Sequence, residues 1–228
     1  MGVDAAGRAG WIGVVVDDGG FVTAHLHGEL AGLLDDAEQA LGTALDAIGV
    51  DIPIGLVDAR VRSVDVAARA YVGPRRSSVF PAPHPAVVHL EAHAEVNEAL
   101  VALGRPRISV QAFHLFGRVR EASGLASDVR VFEGFPEASF RALAGGPLAA
   151  AKKTWSGQAH RRTLLAGATP SVVIPDDLGP AGLVPVDDVL DAAAVAWSAL
   201  RYARGEAEAF GDPAEIDDVT GRRVAMWV

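Results

Sequence analysis

Cysteine is absent from all 228 residues, which removes disulfides, thiolate catalysis and zinc–cysteine sites from consideration. Any metal must be held by oxygen or imidazole. The seven histidines show no His-x-x-x-His or comparable ligand spacing, so a zinc site is not expected. No apolar run approaches the roughly 20 residues that span a bilayer, and the N-terminus enters a strand without a basic leader. The expectation is therefore a cytoplasmic chain with no membrane partner. Basic charge is also scarce. Lys and Arg total 20 against 29 Asp and Glu, for a net charge of −9, and the lysines are confined to Lys152 and Lys153. Non-specific nucleic-acid affinity comes mainly from phosphate neutralisation, so this balance counts against a general duplex binder. A phosphate loop is missing as well: Gly145-Gly146-Pro147 reads as a turn with no Lys-Ser/Thr after it.

Half of the residues are apolar, enough for a sizeable core, and the length suits one large α/β domain or two small ones. Gly2 to Asp4, Trp11 to Val16 and Phe21 to His27 read as three antiparallel strands, with Asp17-Asp18-Gly19-Gly20 turning between the last two. Glu29 to Ile48 follows as a helix, because Leu30, Leu33, Leu34, Ala37, Leu41, Leu45 and Ile48 keep helical spacing and Gly49 can end it. Val50 to Ile54 then reads as a short buried strand, placed parallel to the first by a β-helix-β crossover. Asp4 and Asp51 would meet at neighbouring strand ends.

From about 55 to 127 the pattern is less regular. Prolines break it between helical stretches at Val64 to Tyr71 and His93 to Leu103, and the segment reads as an insertion or cap. A strand at Val129 to Glu133, short helices at Glu137 to Leu143 and Gly157 to Leu165, and a long helix from about Val186 to Arg204 complete the core. The tail from Gly221 to Val228 resembles a final edge strand.

Asp188 and Asp191 stand three apart on that last helix, whose other residues are largely apolar, so they share a face; Asp187 is a possible substitute. With Asp4 and Asp51 they form an acidic set drawn from three elements, the hard-oxygen donors that suit Mg²⁺ or Mn²⁺. Two such ions about 4 Å apart can activate water and stabilise the leaving oxygen of a phosphodiester. Each acid also has a plainer role open to it. Asp187 and Asp188 can favour a helix dipole, Asp4 can cap the loop after it, and Asp51 can bind backbone before Pro53. Glu133 is a further candidate ligand or base at a strand end, whereas Glu137 can serve the dipole of its own helix. Ser77 and Ser78 have no identifiable histidine and acid partner, which makes a serine nucleophile a weak reading. Arg60, Arg62, Arg69, Arg75 and Arg76 form one basic stretch, and Lys152, Lys153, Arg161 and Arg162 another.

Together these motifs resemble a family of bacterial and archaeal proteins held to be nucleases with an RNase H-like fold. The likeness covers nearly the whole chain. It rests on Gly2-Val3-Asp4 with Gly10-Trp11, on Val50-Asp51-Ile52-Pro53-Ile54-Gly55-Leu56, and on Arg62 to Asp65 leading into Ala67-Ala68-Arg69. It continues through Ser77-Ser78-Val79-Phe80-Pro81-Ala82-Pro83, Glu133-Gly134-Phe135-Pro136-Glu137 and Asp187-Asp188-Val189-Leu190-Asp191. The core is also similar to RuvC-type Holliday-junction resolvases, and that resemblance implies metal-binding and catalytic roles for Asp4, Asp51, Asp188 and Asp191. Asp51 stands where those resolvases usually carry Glu, one methylene longer, so Glu133 is the residue to test beside it. The Arg60 to Pro85 segment has no counterpart in the minimal resolvase core. It is expected to shape substrate choice, with Arg75 and Arg76 reaching phosphates and Ser77 and Ser78 donating hydrogen bonds.

The expected architecture is thus an α/β chain with an RNase H-like mixed sheet, three antiparallel strands followed by parallel ones, flanked by helices in a single domain over residues 1–228. The expected activity is metal-dependent hydrolysis of a phosphodiester in a nucleic acid or nucleotide. A nucleotide-dependent phosphotransferase on a related fold and a non-catalytic scaffold are the competing readings, the latter favoured by the acidic balance. The four tryptophans include a plausible interface residue for a homodimer.

Overall fold

A computed structural model describes residues 1–59, 61–217 and 219–228. Seven strands form one mixed sheet: β1 Gly2–Ala5, β2 Trp11–Asp17, β3 Gly20–His27, β4 Ile48–Val50, β5 Val131–Gly134, β6 Ala209–Phe210 and β7 Met226–Trp227. Their order is β3-β2-β1-β4-β5-β7-β6. The first three pair antiparallel, β1, β4, β5 and β7 run parallel, and β6 closes the sheet antiparallel to β7. The helices are α1 Leu30–Leu41, α2 Ser63–Val72, α3 His93–Ala102, α4 Val110–His114, α5 Phe116–Gly124, α6 Pro136–Ala144, α7 Trp155–Ala166 and α8 Val186–Ala203. This is the mixed α/β sheet flanked by helices that the sequence leads one to expect. Among the described residues no helix is long and apolar enough to cross a membrane.

Both faces of the sheet are covered, which explains why β2 is a continuous apolar run. Trp11 and Val15 face a core shared with Leu30, Leu33 and Ala37 of α1 and Val119 and Ala122 of α5. Ile12, Val14 and Val16 face the opposite core, with Phe140 of α6, Leu165 of α7 and the alanines of α8. Small residues let α8 lie almost on the sheet. A Cβ added at Gly2 would sit 2.2 Å from the Ala192 carbonyl oxygen and 2.0 Å from the Ala196 nitrogen. That close approach carries the start of α8 to the carboxyl end of β1.

Three differences from the sequence reading bear on the site and the sheet. Helix α1 stops at Leu41 rather than Ile48, because Gly42 adopts a left-handed conformation and its N–H caps the carbonyls of Glu38 and Gln39. Leu45 and Ile48 keep helical phase by coincidence and reach the same core from a loop and from β4. Strand β4 therefore ends at Val50, and Asp51 follows it instead of lying inside a strand running to Ile54. The tail strand β7 is not the edge, since β6 covers it. Between β4 and β5 the chain builds α2 to α5, of which α4 and α5 have no clear sequence signal. There Val87, Val96, Leu100 and Phe116 form a small core of their own.

Candidate functional site

Strands β1, β4 and β5 end together, and in open α/β sheets the carboxyl ends of the strands are where ligands bind. Val3 lies beside Val50 and Val50 beside Glu133, so Asp4, Asp51 and Glu133 come to one edge of the parallel strands. The Asp51 N–H donates to the Val3 carbonyl at 2.9 Å, which fixes the turn beyond β4 against β1. The first turns of α8 add Asp187, Asp188 and Asp191. Pro185 occupies the N-cap position and no side chain caps this helix, so neither Asp187 nor Asp188 is used as a cap.

These groups surround a cavity of about 410 Å³. Asp4, Asp51, Asp188 and Asp191 all line it, with Glu133, Glu137, Lys152 and Ser78. The structure thus brings together the four acids singled out from the sequence. Asp191 is 2% exposed. Its Oδ2 accepts a hydrogen bond from Lys152 Nζ, and its Oδ1 is buried with no hydrogen-bond partner. Lys152 Nζ also stands 4.0 Å from Asp187 Oδ2. Asp4 Oδ1 accepts the Ala5 N–H at 2.7 Å, the local turn that the sequence allows for.

Burial and mutual repulsion hold these carboxyls away from their ordinary range. Burial, then the charges of Asp51 and Asp191, raises Asp4 well above 3.8. Burial and Asp191 push Asp51 up to about 8. Asp191 rises to about 6 through burial, against the pull of Lys152, and Asp188 rises to about 6 through burial and Asp187. Burial works against the charge of Lys152, but Asp191, Asp4 and Asp51 outweigh it and hold the ammonium above its usual value. Among the described residues no group of three or more Asp, Glu or His side chains stands in an arrangement that could hold a metal ion. A lysine ammonium lies among them instead, and the Asp191 oxygen left without a partner, beside carboxyls that repel one another, matches the donor set of a hard divalent cation.

The sign of the resulting pH dependence follows directly. Without a divalent cation the folded chain retains protons, between about pH 4 and about pH 8, that the unfolded chain has released. Its stability should therefore fall as pH rises through that window, and Mn²⁺, by displacing those protons, should stabilise more at about pH 8 than at about pH 5. Melting curves in chelator and in Mn²⁺ at both pH values would show this; parallel pH profiles would count against a cation among these acids.

Glu133 lines the cavity but is already engaged. Oε2 accepts from Arg62 Nη1 at 2.8 Å and from the Ile54 N–H at 2.7 Å, and Oε1 accepts from Arg62 Nη2 at 2.8 Å. Glu137, which the sequence suggests only as a dipole partner, reaches the same cavity. Arg161 Nη2 donates to its Oε1 at 2.7 Å, while Oε2 is buried without a partner. Of the four residues expected to bind substrate, Ser78 lines the cavity, and its hydroxyl donates to the Arg75 carbonyl at 2.6 Å. Arg75 donates to the Ala149 carbonyl at 2.7 Å, and Arg75, Arg76 and Ser77 are not among the lining residues. The two basic stretches disperse in the fold. Arg62 and Arg161 are buried in ion pairs, Arg69 donates to the Val79 carbonyl, and Arg60 lies outside the described residues. Lys152, marked in the sequence only as one of two lysines within a basic stretch, pairs with Asp191 in the fold.

A scan of protein-family models matches residues 2–216 to the family described as protein of unknown function, DUF429. Searches of curated proteins and of solved structures gave no match. With the family model spanning almost the whole chain, from the first strand past the last helix, the protein belongs to the DUF429 family.

Proposed function

We propose that the protein hydrolyses a phosphodiester with Mg²⁺ or Mn²⁺ held by Asp4, Asp51, Asp188 and Asp191. The observation that carries this is the meeting of acids from β1, the turn after β4 and α8 in one open cavity where burial and repulsion oppose their charge. The sequence resemblance to RNase H-like nucleases and RuvC-type resolvases points the same way. When bound, the cation supplies Lewis acidity for water activation and neutralises charge on the leaving oxygen.

The chain's own groups divide the remaining work. Asp4 and Asp51, fixed at adjacent strand ends, and Asp191, fixed on α8, provide a rigid floor of carboxyl oxygens. Lys152, which pairs with Asp191 and lines the cavity, would donate to a non-bridging phosphate oxygen of the substrate. Glu137, oriented by Arg161 through Oε1, lines the cavity and would serve as general base, its Oε2 being free of any hydrogen bond but reached by water only after a local shift. Glu133 acts as a positioning residue, holding Arg62 and the Ile54 turn beneath the site. The segment from about 55 to 127, read as an insertion on an RNase H-like domain, overhangs the cavity through Ser78, Phe80 and Leu115.

A non-catalytic scaffold remains the second reading, because the Lys152–Asp191 pair already neutralises part of the site. A cleavage panel separates the two. Single-stranded and duplex DNA and RNA and a four-way junction would be incubated with Mg²⁺ or Mn²⁺ at low and moderate salt. Cleavage of one class is expected, reduced on the order of 10²–10³-fold or more in a folded Asp4→Asn variant, the scale of losing one preorganised electrostatic group. Equal cleavage by wild type and Asp4→Asn would contradict the proposal.

A further inference from the structure

At Pro53, Phe80 and Leu115 the acidic cavity adjoins a second cavity of about 330 Å³, since these three residues line both. Its size is within the ~300–1,000 Å³ of small-molecule pockets. The Arg62–Glu133 ion pair divides the two, Arg62 facing the second cavity and Glu133 the first. Phe80, Pro81, Val87, Pro106, Ile108 and Phe116 make its walls predominantly apolar. Val87 and Phe116 belong to the small core of this region, so that side of the cavity is a packed wall rather than a gap between loops. Polar groups stand among the apolar ones: His84, Arg105, Arg107 and Ser109. His84 and Arg105 both contact Asp58 Oδ1, at 2.6 and 3.1 Å, which ties the loop before α2 to the loops before and after α3.

We propose that the second cavity seats an unpaired nucleobase of the substrate whose phosphodiester reaches the acidic centre; the placement of that phosphate rests on the function proposed above. A base has flat apolar faces and a polar edge. Proline and phenylalanine surfaces suit the faces, and the guanidinium groups of Arg105 and Arg107 suit the edge, whereas both His84 nitrogens are engaged by Asp58 and the Ala86 N–H and Ser109 Oγ accepts the Ala112 N–H. A purely aliphatic ligand would cover those polar groups without replacing their water. Phe80, 53% exposed at the junction of the two cavities, is placed to stack on the base. A base held within a duplex stack cannot enter a pocket of this kind. The substrate is therefore a nucleotide, or a strand with an unstacked base, and not intact duplex, which agrees with the net charge of −9.

Calorimetric binding of adenosine, cytidine, guanosine and uridine, with ribose as control, tests this without involving the acidic centre, because the probes are neutral and the buffer contains chelator. At least one nucleoside should bind about tenfold or more tightly than ribose. Phe80→Ala should weaken it about tenfold, the scale of one base stack, and Ala112→Trp, which fills the cavity, should remove it, with Mn²⁺ binding unchanged in both. Displacement by the matching nucleoside monophosphate alone would assign free nucleotides as the ligand, and displacement by a single strand would assign strands. No preference over ribose, an unaffected Phe80→Ala variant, or displacement by duplex as effective as by single strand would overturn the proposal. Nucleoside binding without Mn²⁺ binding would leave the base pocket standing and count against the metal reading; Mn²⁺-dependent cleavage without nucleoside binding would do the reverse.

Discussion

Asp4→Asn should raise the melting temperature in chelator and abolish its response to Mn²⁺. Asp4 is buried against Asp51 and Asp191, and its charge is opposed first by burial and then by theirs. Asparagine keeps Oδ1 to accept the Ala5 N–H and removes the charge. At about pH 8, where repulsion is greatest, a gain on the order of 5 °C is expected for a chain of this size, from ~2–4 °C per kcal/mol. Wild type should instead gain about 2.7 kcal/mol when Mn²⁺ is present at a hundred times its Kd, and the variant nothing. A carboxylate serving only a structural turn would behave in the opposite way, losing stability on substitution and leaving any Mn²⁺ effect intact. Thermal melts of both proteins, with and without Mn²⁺, decide between them.

Arg62→Met should cause a large loss of stability. The guanidinium is buried with Glu133 and Asp65, bonds both Glu133 oxygens, and reaches Asp65 Oδ1 at 2.6 Å. Removing it leaves two buried carboxylates unpaired, which costs about 3–5 kcal/mol, or roughly 6–20 °C in Tm. The loss should shrink at low pH, because burial already raises the Glu133 carboxyl above its ordinary value and without Arg62 it would protonate more readily. Adding Glu133→Gln to Arg62→Met should recover part of the loss at neutral pH. Chemical denaturation of the two single variants and the double variant measures the coupling; an Arg62→Met variant as stable as wild type would show that the pair does not support the wall between the cavities.

Much of the sheet is legible in the chain because its signals are local. The Asp17 to Gly20 turn, the apolar run of β2 and the alanine-rich face of α8 each specify their element without reference to a partner. The end of α1 is misleading because Leu45 and Ile48 satisfy helical spacing while Gly42, a weak local signal, actually ends the helix. The short strand β6 leaves no pattern, so the tail looks like an edge. At the site, Asp4, Asp51 and Asp191 stand out because each interrupts apolar neighbours. Lys152 does not, since its partner Asp191 is 39 residues away and nothing in its own neighbourhood points to that acid. Glu133 reads as free for catalysis in sequence because Arg62, 71 residues before it, claims both oxygens only in the fold. The second cavity is built from loops around α3 and α4 and has no one-dimensional signature.

Isothermal titration of the wild-type chain with Mn²⁺ at about pH 7, in two buffers of different ionisation enthalpy, tests the acidic centre most directly, with Asp191→Asn alongside. Saturable binding is expected, with heats that differ between buffers because the cation displaces protons from carboxyls such as Asp51, held up to about 8. That binding should be lost in Asp191→Asn. Absence of binding to wild type, or equal binding to the variant, would contradict a divalent-cation site built from Asp4, Asp51, Asp188 and Asp191.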